Sequence, residues 1–224
     1  MIDKQVPDLA EAVADVPDGA TVLVSGFGEV GVPVDLIDAL VEQGAGDLTV
    51  VANNAGAGDR GVAALLRAGR VRRVICSYPR SRGSTWFEYR YGRQEVELEV
   101  VPQGVLSERI RAAGAGIGAF YSPTSVGTVL GEGKETRLLD GRTQVLEYPL
   151  RGDVALIKGR LGDRWGNLTY HATARNYAPT MAMAAGLTIA QVDAIVELGT
   201  LDPESIVTPG IFVDRVVAVG DQDA

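Results

Sequence analysis

Two chemically useful side chains are nearly missing from this sequence. It has one cysteine, Cys76, and one histidine, His171, in 224 residues. A single thiol makes no internal disulfide, which fits a reducing compartment, so a cytoplasmic protein is expected. In the strand-like run Val74-Ile75-Cys76-Ser77 that thiol reads as a small buried hydrophobe. A single imidazole excludes a multi-histidine metal site, and Cys/His zinc spacing is absent, so no metal is expected. Positive charge is also scarce: 21 Lys and Arg stand against 29 Asp and Glu, a net charge of −8. That argues against a broad nucleic-acid surface, which needs a basic patch, but leaves room for a small anionic ligand held by a few local donors. No apolar run approaches the ~20 residues that cross a bilayer, so no membrane span is expected. Met1-Ile2-Asp3-Lys4 lacks the basic and apolar regions of a signal peptide. With no Pro/Ser/Gly-rich linker and no internal repeat, residues 1–224 read as one domain. The polar tail from Gly220 to Ala224 is expected to fray.

What is present alternates strand and helix. Ala20 to Val24 is a short β-branched run and reads as a buried strand. After a glycine-rich loop, Pro33 to Gln43 reads as a helix with Leu36, Ile37, Leu40 and Val41 on one face. Pro33 suits its first position and Gly44 its stop. Leu48 to Ala52 and Val71 to Ser77 read as the next strands, with a short helix from Gly61 to Ala68 between them. Glu95 to Val100 alternates with period two, as a half-exposed strand does, which points to an edge or antiparallel position. Glu95, Glu97 and Glu99 then share one face, best read as solvated rather than catalytic. A helix is expected from Val105 to Ala113. Further on, Val154 to Lys158 and Ala194 to Leu198 read as buried strands, Ala182 to Ala185 as part of a helix, and Val216 to Val219 as a closing strand. Strands separated by helices imply an α/β fold, a three-layer αβα arrangement around an open, mostly parallel sheet.

Three segments carry the chemistry. Ser25-Gly26-Phe27-Gly28-Glu29-Val30-Gly31 follows a strand and opens a helix. Glycines let the backbone turn sharply and approach a ligand, and a helix start favours an anion. Gly26, Gly28 and Gly31 match G-x-G-x-x-G, yet the following strand ends in Asn53-Asn54 rather than an acidic residue, and Pro33 starts the helix beyond the third glycine. Both points disfavour a nicotinamide-binding site. Asn53 and Asn54, at a strand's C-terminal end, offer amide donors where open α/β sheets bind ligands, although an Asn-rich turn bonded to its own backbone has the same composition. Gln103, in Val101-Pro102-Gln103-Gly104, is a further amide at the same rim.

At these segments the sequence resembles the family I coenzyme A transferases of A-subunit type. The resemblance runs on through Val105-Leu106-Ser107-Glu108-Arg109, Gly114-Ala115-Gly116-Ile117, Phe120-Tyr121-Ser122-Pro123-Thr124, Gly166-Asn167-Leu168, Thr173-Ala174-Arg175-Asn176 and Thr208-Pro209-Gly210-Ile211. It covers roughly Ile2 to Val219, and an ordered series of this kind is more specific than any one glycine motif. Within the family, Cys76-Ser77-Tyr78-Pro79-Arg80 resembles the 3-oxoadipate transferases, as do Gly162 to Tyr170 and Val213 to Val219.

The resemblance implies a ping-pong transfer from an acyl-CoA, succinyl-CoA by family default, to 3-oxoadipate in aromatic catabolism (the β-ketoadipate pathway). A glutamate carboxylate attacks the thioester, an anhydride forms, and the thiolate returns to give a glutamyl-CoA thioester that the second acid attacks. In two-subunit members that glutamate lies on the B subunit. No catalytic nucleophile is therefore expected in this chain, and a B-subunit partner is, as a heterodimer or A2B2. The implied contributions are a coenzyme loop over Ser25, Gly26, Phe27, Gly28, Glu29, Val30 and Gly31, and pocket amides at Asn53, Asn54 and Gln103. The coenzyme A thioester enters as substrate, with no permanently bound cofactor expected. Ser25 departs from a usual glycine, Glu29 adds a carboxylate that is expected to face solvent, and Ser81-Arg82-Gly83-Ser84 with Trp86 diverges. Arg72, Arg73, Arg80 and Arg82 have the default reading of exposed side chains. Two alternatives stand beside this reading: the same enzyme with acetoacetate or another 3-oxoacid as acceptor, and a non-catalytic acyl-CoA-binding module.

Overall fold

The computed structural model describes residues 2–220, so the fraying read into residues 221–224 lies outside the described residues. From the N-terminus run α1 (Leu9–Val13), β1 (Thr21–Val24), α2 (Val34–Gln43), β2 (Leu48–Asn54), α3 (Val62–Arg67), β3 (Val71–Tyr78), α4 (Thr85–Gly92), β4 (Glu97–Val100) and α5 (Gln103–Gly114). Then follow β5 (Phe120–Ser122), β6 (Thr136–Leu139), β7 (Arg142–Glu147), β8 (Gly152–Lys158), β9 (Leu161–Asp163), α6 (Ala178–Ala184), β10 (Ala185–Val192), β11 (Ala194–Val196) and β12 (Arg215–Ala218). Among the described residues seven strands form one sheet in the order β12-β10-β8-β1-β2-β3-β4. Each of its ladders is parallel.

Side chains of a strand alternate between faces, and the central strands show what that does here. Val22, Val24, Val154 and Leu156 enter the core under α1 to α4. Leu23, Ala155 and Ile157, one residue out of phase, enter the core under α5 and α6. With both faces covered, the central strands read as continuous apolar runs, as buried parallel strands do. The direction of chain progress explains the layers. From β1 to β4 the chain moves one way across the sheet with α2, α3 and α4 as crossovers; from β8 to β12 it moves the other way with α6 between β8 and β10. Crossovers of one hand that run in opposite directions must lie on opposite faces. The reversal leaves β1 beside β8. This is the point in an open α/β sheet where loops diverge and a crevice opens.

Four details differ from the sequence reading. Pro33 precedes α2 as its cap instead of occupying its first turn. The period-two segment is an edge strand, as expected, but β4 runs parallel to β3; antiparallel pairing occurs instead in the meander β5-β7-β6. Its glutamates are also engaged rather than simply solvated: Glu99 meets Arg73 at 2.5 Å and Arg109 at 2.8 Å, and Glu95 meets Arg90 at 2.7 Å and Arg93 at 2.6 Å. Finally, Ala194 to Leu198 is not a buried strand of the main sheet. β11 is a half-exposed partner of β9, while the buried strand is β10, which follows α6 directly at Ala185 with extended φ −108 and ψ 157. The Ala-rich run through this junction has helical propensity, and Gly186 alone marks the switch; pairing with β8 and β12 overrides that propensity beyond it.

Candidate functional site

The C-terminal ends of β1, β2, β3 and β8, together with the start of α5, open into one cavity of about 1020 Å³. All three amides singled out in the sequence line it, as do Ser25, Gly26, Phe27, Gly28, Glu29 and Gly31 of the glycine loop. Val30 is the exception. It turns outward and lines a second cleft behind the loop, of about 490 Å³, with Phe27, Thr173, Arg175 and Asn176.

The loop has a definite shape. Phe27 and Val30 exchange two backbone hydrogen bonds, of 3.0 and 3.2 Å, around a two-residue tip of Gly28 and Glu29. Glu29 is exposed, as expected. Ser25, read from the sequence as a departure from a usual glycine, takes an active part. Its buried hydroxyl donates to the Gly31 carbonyl at 2.8 Å, drawing together the two ends of the loop, and accepts from the Lys158 N–H at 3.2 Å. The second bond ties the loop to β8 across the switch point. Gly31, at φ +76, has no room for a side chain, since a Cβ there would run into the Ala174 carbonyl.

Asn176 supports this loop from behind. Its Oδ1 accepts from the Gly26 N–H at 3.0 Å and from the Tyr177 N–H at 2.7 Å. Its Nδ2 donates to the carbonyls of Val30, Ala174 and Thr173 at 3.0 to 3.2 Å. In sequence, Thr173-Ala174-Arg175-Asn176 carries the family resemblance and gives Asn176 no role of its own. The start of α2 is secured in a similar long-range manner. Pro33 offers no side-chain cap; instead Gln191 of β10 accepts from the Leu36 N–H at 3.1 Å and donates to Asp35 at 2.8 Å. This satisfies one of the N–H groups that a helix start leaves unpaired.

The pocket amides differ in freedom. Asn53 is buried and donates to the Ser77 hydroxyl at 3.2 Å, which donates back to the Asn53 carbonyl at 3.1 Å. Burial pushes the Tyr177 phenol up from its usual range, and its hydrogen bond with Asn53 opposes that shift. Asn54 closes a turn by accepting from the Gly56 N–H at 2.8 Å and reaches the Gly28 carbonyl at 3.3 Å, so it braces the tip of the glycine loop. Gln103, the first residue of α5, is exposed at the rim. Amides held by their own neighbours at a cavity wall are pre-organised to donate to an oxygen as charge develops on it.

Cys76 is fully buried in β3, and burial pushes its thiol up to about 12. The reactive form is the thiolate, so this residue should be inert at neutral pH. Native protein treated with iodoacetamide near neutral pH is expected to stay unlabelled, with full labelling in urea. Rapid native labelling would show that β3 opens locally.

With this geometry established, comparison with known proteins identifies the family. Residues 6–219 match the coenzyme A transferase family. The chain belongs to that family. It is 61% identical, over 98% of its own length and 95% of the relative's, to the A subunit of a 3-oxoadipate CoA-transferase from Pseudomonas putida. It is 48% identical, over 96% of its length and 88% of the relative's, to the A subunit of a succinyl-CoA:3-ketoacid coenzyme A transferase from Xanthomonas campestris. Among solved structures it is similar to an acyl-CoA transferase of Escherichia coli O157:H7 captured as a thioester complex with CoA, with TM-score 0.86 and 25% identity over 99% of this chain. The chain spans about half of that solved chain, 48% of its length. The three-layer α/β fold expected from the sequence is thus the coenzyme A transferase fold. No helix among the described residues is long and apolar enough to cross a membrane.

Proposed function

We propose that this chain is the A component of a two-subunit enzyme that moves coenzyme A from succinyl-CoA to 3-oxoadipate. The observation that carries this reading is the 61% identity with the Pseudomonas putida relative over 98% of this chain, joined to a cavity whose wall holds amide donors. Residues 1–224 act in it as one domain, in the cytoplasm, without a permanently bound cofactor.

The nucleophilic glutamate belongs to the B subunit in this reading. To attack a thioester, a carboxylate must be held beside the donors that receive the carbonyl charge. Glu29, the glutamate of this chain at the cavity, instead stands exposed at the tip of a turn. Its position supports a role outside the covalent steps. In those steps the partner's carboxylate displaces the thiolate from the acyl group, giving an anhydride. The thiolate then attacks the glutamyl carbonyl and releases the first acid. The second acid's carboxylate attacks the resulting thioester, the thiolate leaves, and its return to the new acyl carbonyl yields the product thioester and restores the glutamate. Asn53, Asn54 and Gln103 donate to the carbonyl oxygen as it becomes negative, while the loop from Ser25 to Gly31 receives the coenzyme.

The test is an exchange assay with succinyl-CoA and 3-oxoadipate, using this chain alone and then mixed with its B subunit. Activity is expected only in the mixture. Turnover by the chain alone would overturn the placement of the nucleophile. The Xanthomonas campestris relative favours one second reading, a shorter 3-oxoacid as acceptor. A complex that turns over 3-oxobutyrate and not 3-oxoadipate would establish that reading instead.

A further inference from the structure

Three cationic side chains line the cavity: Arg60, Arg82 and Lys158. Two of them face a carboxylate of the same chain. Arg60 lies 3.9 Å from Asp38, and Lys158 lies 4.0 Å from Asp193. Arg82 makes no ion pair among the described residues. The other arginines near β3 are directed elsewhere. Arg72, Arg73 and Arg80 pair with Glu97, Glu99 and Glu88 at 3.9, 2.5 and 3.5 Å, and none of the three lines the cavity.

The turn that carries Arg82 is tied down on both sides. Ser84, buried, accepts from the Ser81 N–H at 2.8 Å and donates to the Gly56 carbonyl at 3.0 Å. The Gly58 N–H donates to the Gly83 carbonyl at 3.0 Å. These bonds lock the turn after β3 onto the turn after β2, which begins at Asn53 and Asn54. Of the three carboxylates at the cavity, Asp59 accepts from the Trp86 indole at 2.6 Å and Asp35 from Gln191 at 2.8 Å, while Glu29 stands exposed at the tip of the glycine loop. A fixed backbone thus presents an uncommitted guanidinium to the cavity that the pocket amides line.

From this arrangement we propose that Arg82 determines specificity by receiving the second carboxylate of a dicarboxylic 3-oxoacid. The inference rests on the acceptor named above. The six-carbon acid bears a carboxylate at each end, and only one of them becomes the thioester. The other remains charged and enters the cavity with the substrate, where Arg82, exposed in this chain by itself, stands on the wall to meet it; a charge that loses water there without a partner is costly. A planar guanidinium fork matches a carboxylate with two parallel hydrogen bonds. 3-Oxobutyrate has no second carboxylate, so it gains nothing from this contact.

The test compares acids in the A:B complex. In a ping-pong reaction kcat/KM for an acid reports only the half-reaction that this acid enters, so the thioester donor drops out. Arg82→Gln is expected to lower kcat/KM for 3-oxoadipate about 10- to 100-fold while changing that for 3-oxobutyrate less than about threefold, the difference expected of one charge-assisted pair. Arg82→Lys should recover part of the loss, and Arg80→Gln should leave the ratio of the two acids unchanged. Equal losses with both acids, which would place Arg82 on the coenzyme phosphates, overturn the proposal, as does no loss at all. If the wild-type complex prefers 3-oxoadipate and Arg82→Gln keeps that preference, the role of Arg82 alone falls. If the wild type turns over 3-oxobutyrate but no dicarboxylic acid, the proposed acceptor falls with it.

Discussion

Gly31→Ala is expected to cut exchange in the two-subunit complex at least about 100-fold, while Gly28→Ala stays within about tenfold of the wild type. The two glycines belong to one loop and both have positive φ, +76 and +62. A left-handed backbone alone costs an alanine roughly 1–2 kcal/mol at either site. Their surroundings separate them. A Cβ on Gly28 meets nothing within 4 Å, whereas a Cβ on Gly31 lies 2.2 Å from the Ala174 carbonyl oxygen and 2.8 Å from Asn176 Nδ2. The nearer atom is backbone, so relief requires the loop to move away from residues 173–176. That movement pulls on the Ser25 bond to Gly31 and on both Asn176 bonds to the loop. A displacement of about 1 Å at a substrate-positioning element can cost about 100-fold in rate, so a loss of at least that size in kcat/KM is expected for Gly31→Ala. Combined strain and overpacking of about 3 kcal/mol should also lower Tm by about 6–12 °C for a chain of this length. Gly28→Ala should stay within about tenfold of wild type, in line with its αL cost alone. Gly31→Ala turning over as fast as Gly28→Ala would show that the packing behind the loop does not set its position.

Asn176→Asp should be nearly as severe, although the two side chains have the same shape. The amide of Asn176 donates to three carbonyl oxygens and accepts from two N–H groups. A carboxylate keeps the accepting side, since Gly26 and Tyr177 can still donate to it. Its other oxygen, however, faces the carbonyls of Val30, Ala174 and Thr173 with no proton to share. The two N–H donors that the three carbonyls share are lost at a half-buried position and replaced by repulsion between like partial charges, which amounts to roughly 3 kcal/mol. Asn176→Ala removes the donations and the two accepted bonds as well, but it brings no repulsion and leaves the half-buried groups open to water, so it should fall between Asp and the wild type. The readout is KM for succinyl-CoA together with Tm. A raised KM and lowered Tm for Asp relative to Ala are expected, and Asp matching the wild type in both would remove Asn176 from the support of the loop.

Much of this site was legible because local chemistry demands it. A β-branched run, glycines and a following proline specify strand, sharp loop and helix within the span from Thr21 to Gln43, and the structure has them there. Asn53 and Asn54 stand at the end of β2, where the topology of an open sheet opens a crevice. Other features leave no local trace. β10 carries Gly186, Thr188 and Gln191 and follows an alanine-rich helix, with Gly186 as the single local stop signal; its pairing between β8 and β12 makes it a strand. In sequence Ser25 is a departure of open consequence; its hydroxyl is a clamp because the Gly31 carbonyl and the Lys158 N–H meet it there.

The layered parallel α/β fold, the glycine loop with its flanking strand and helix, and the family are all written in the order of the residues, since each rests on neighbours in the chain or on their ordered series. Which distant side chains complete the site is a matter of tertiary structure. Ser25 meets Lys158 across 133 residues, Gly26 meets Asn176 across 150, and Leu36 meets Gln191 across 155. So is the choice of which of Arg72, Arg73, Arg80 and Arg82 makes no ion pair among the described residues, because that depends on the carboxylates that β4 and α4 place beside the other three. Contacts so far apart carry no signature in composition or periodicity. They exist because the sheet reverses direction between β1 and β8 and brings both halves of the chain to one rim.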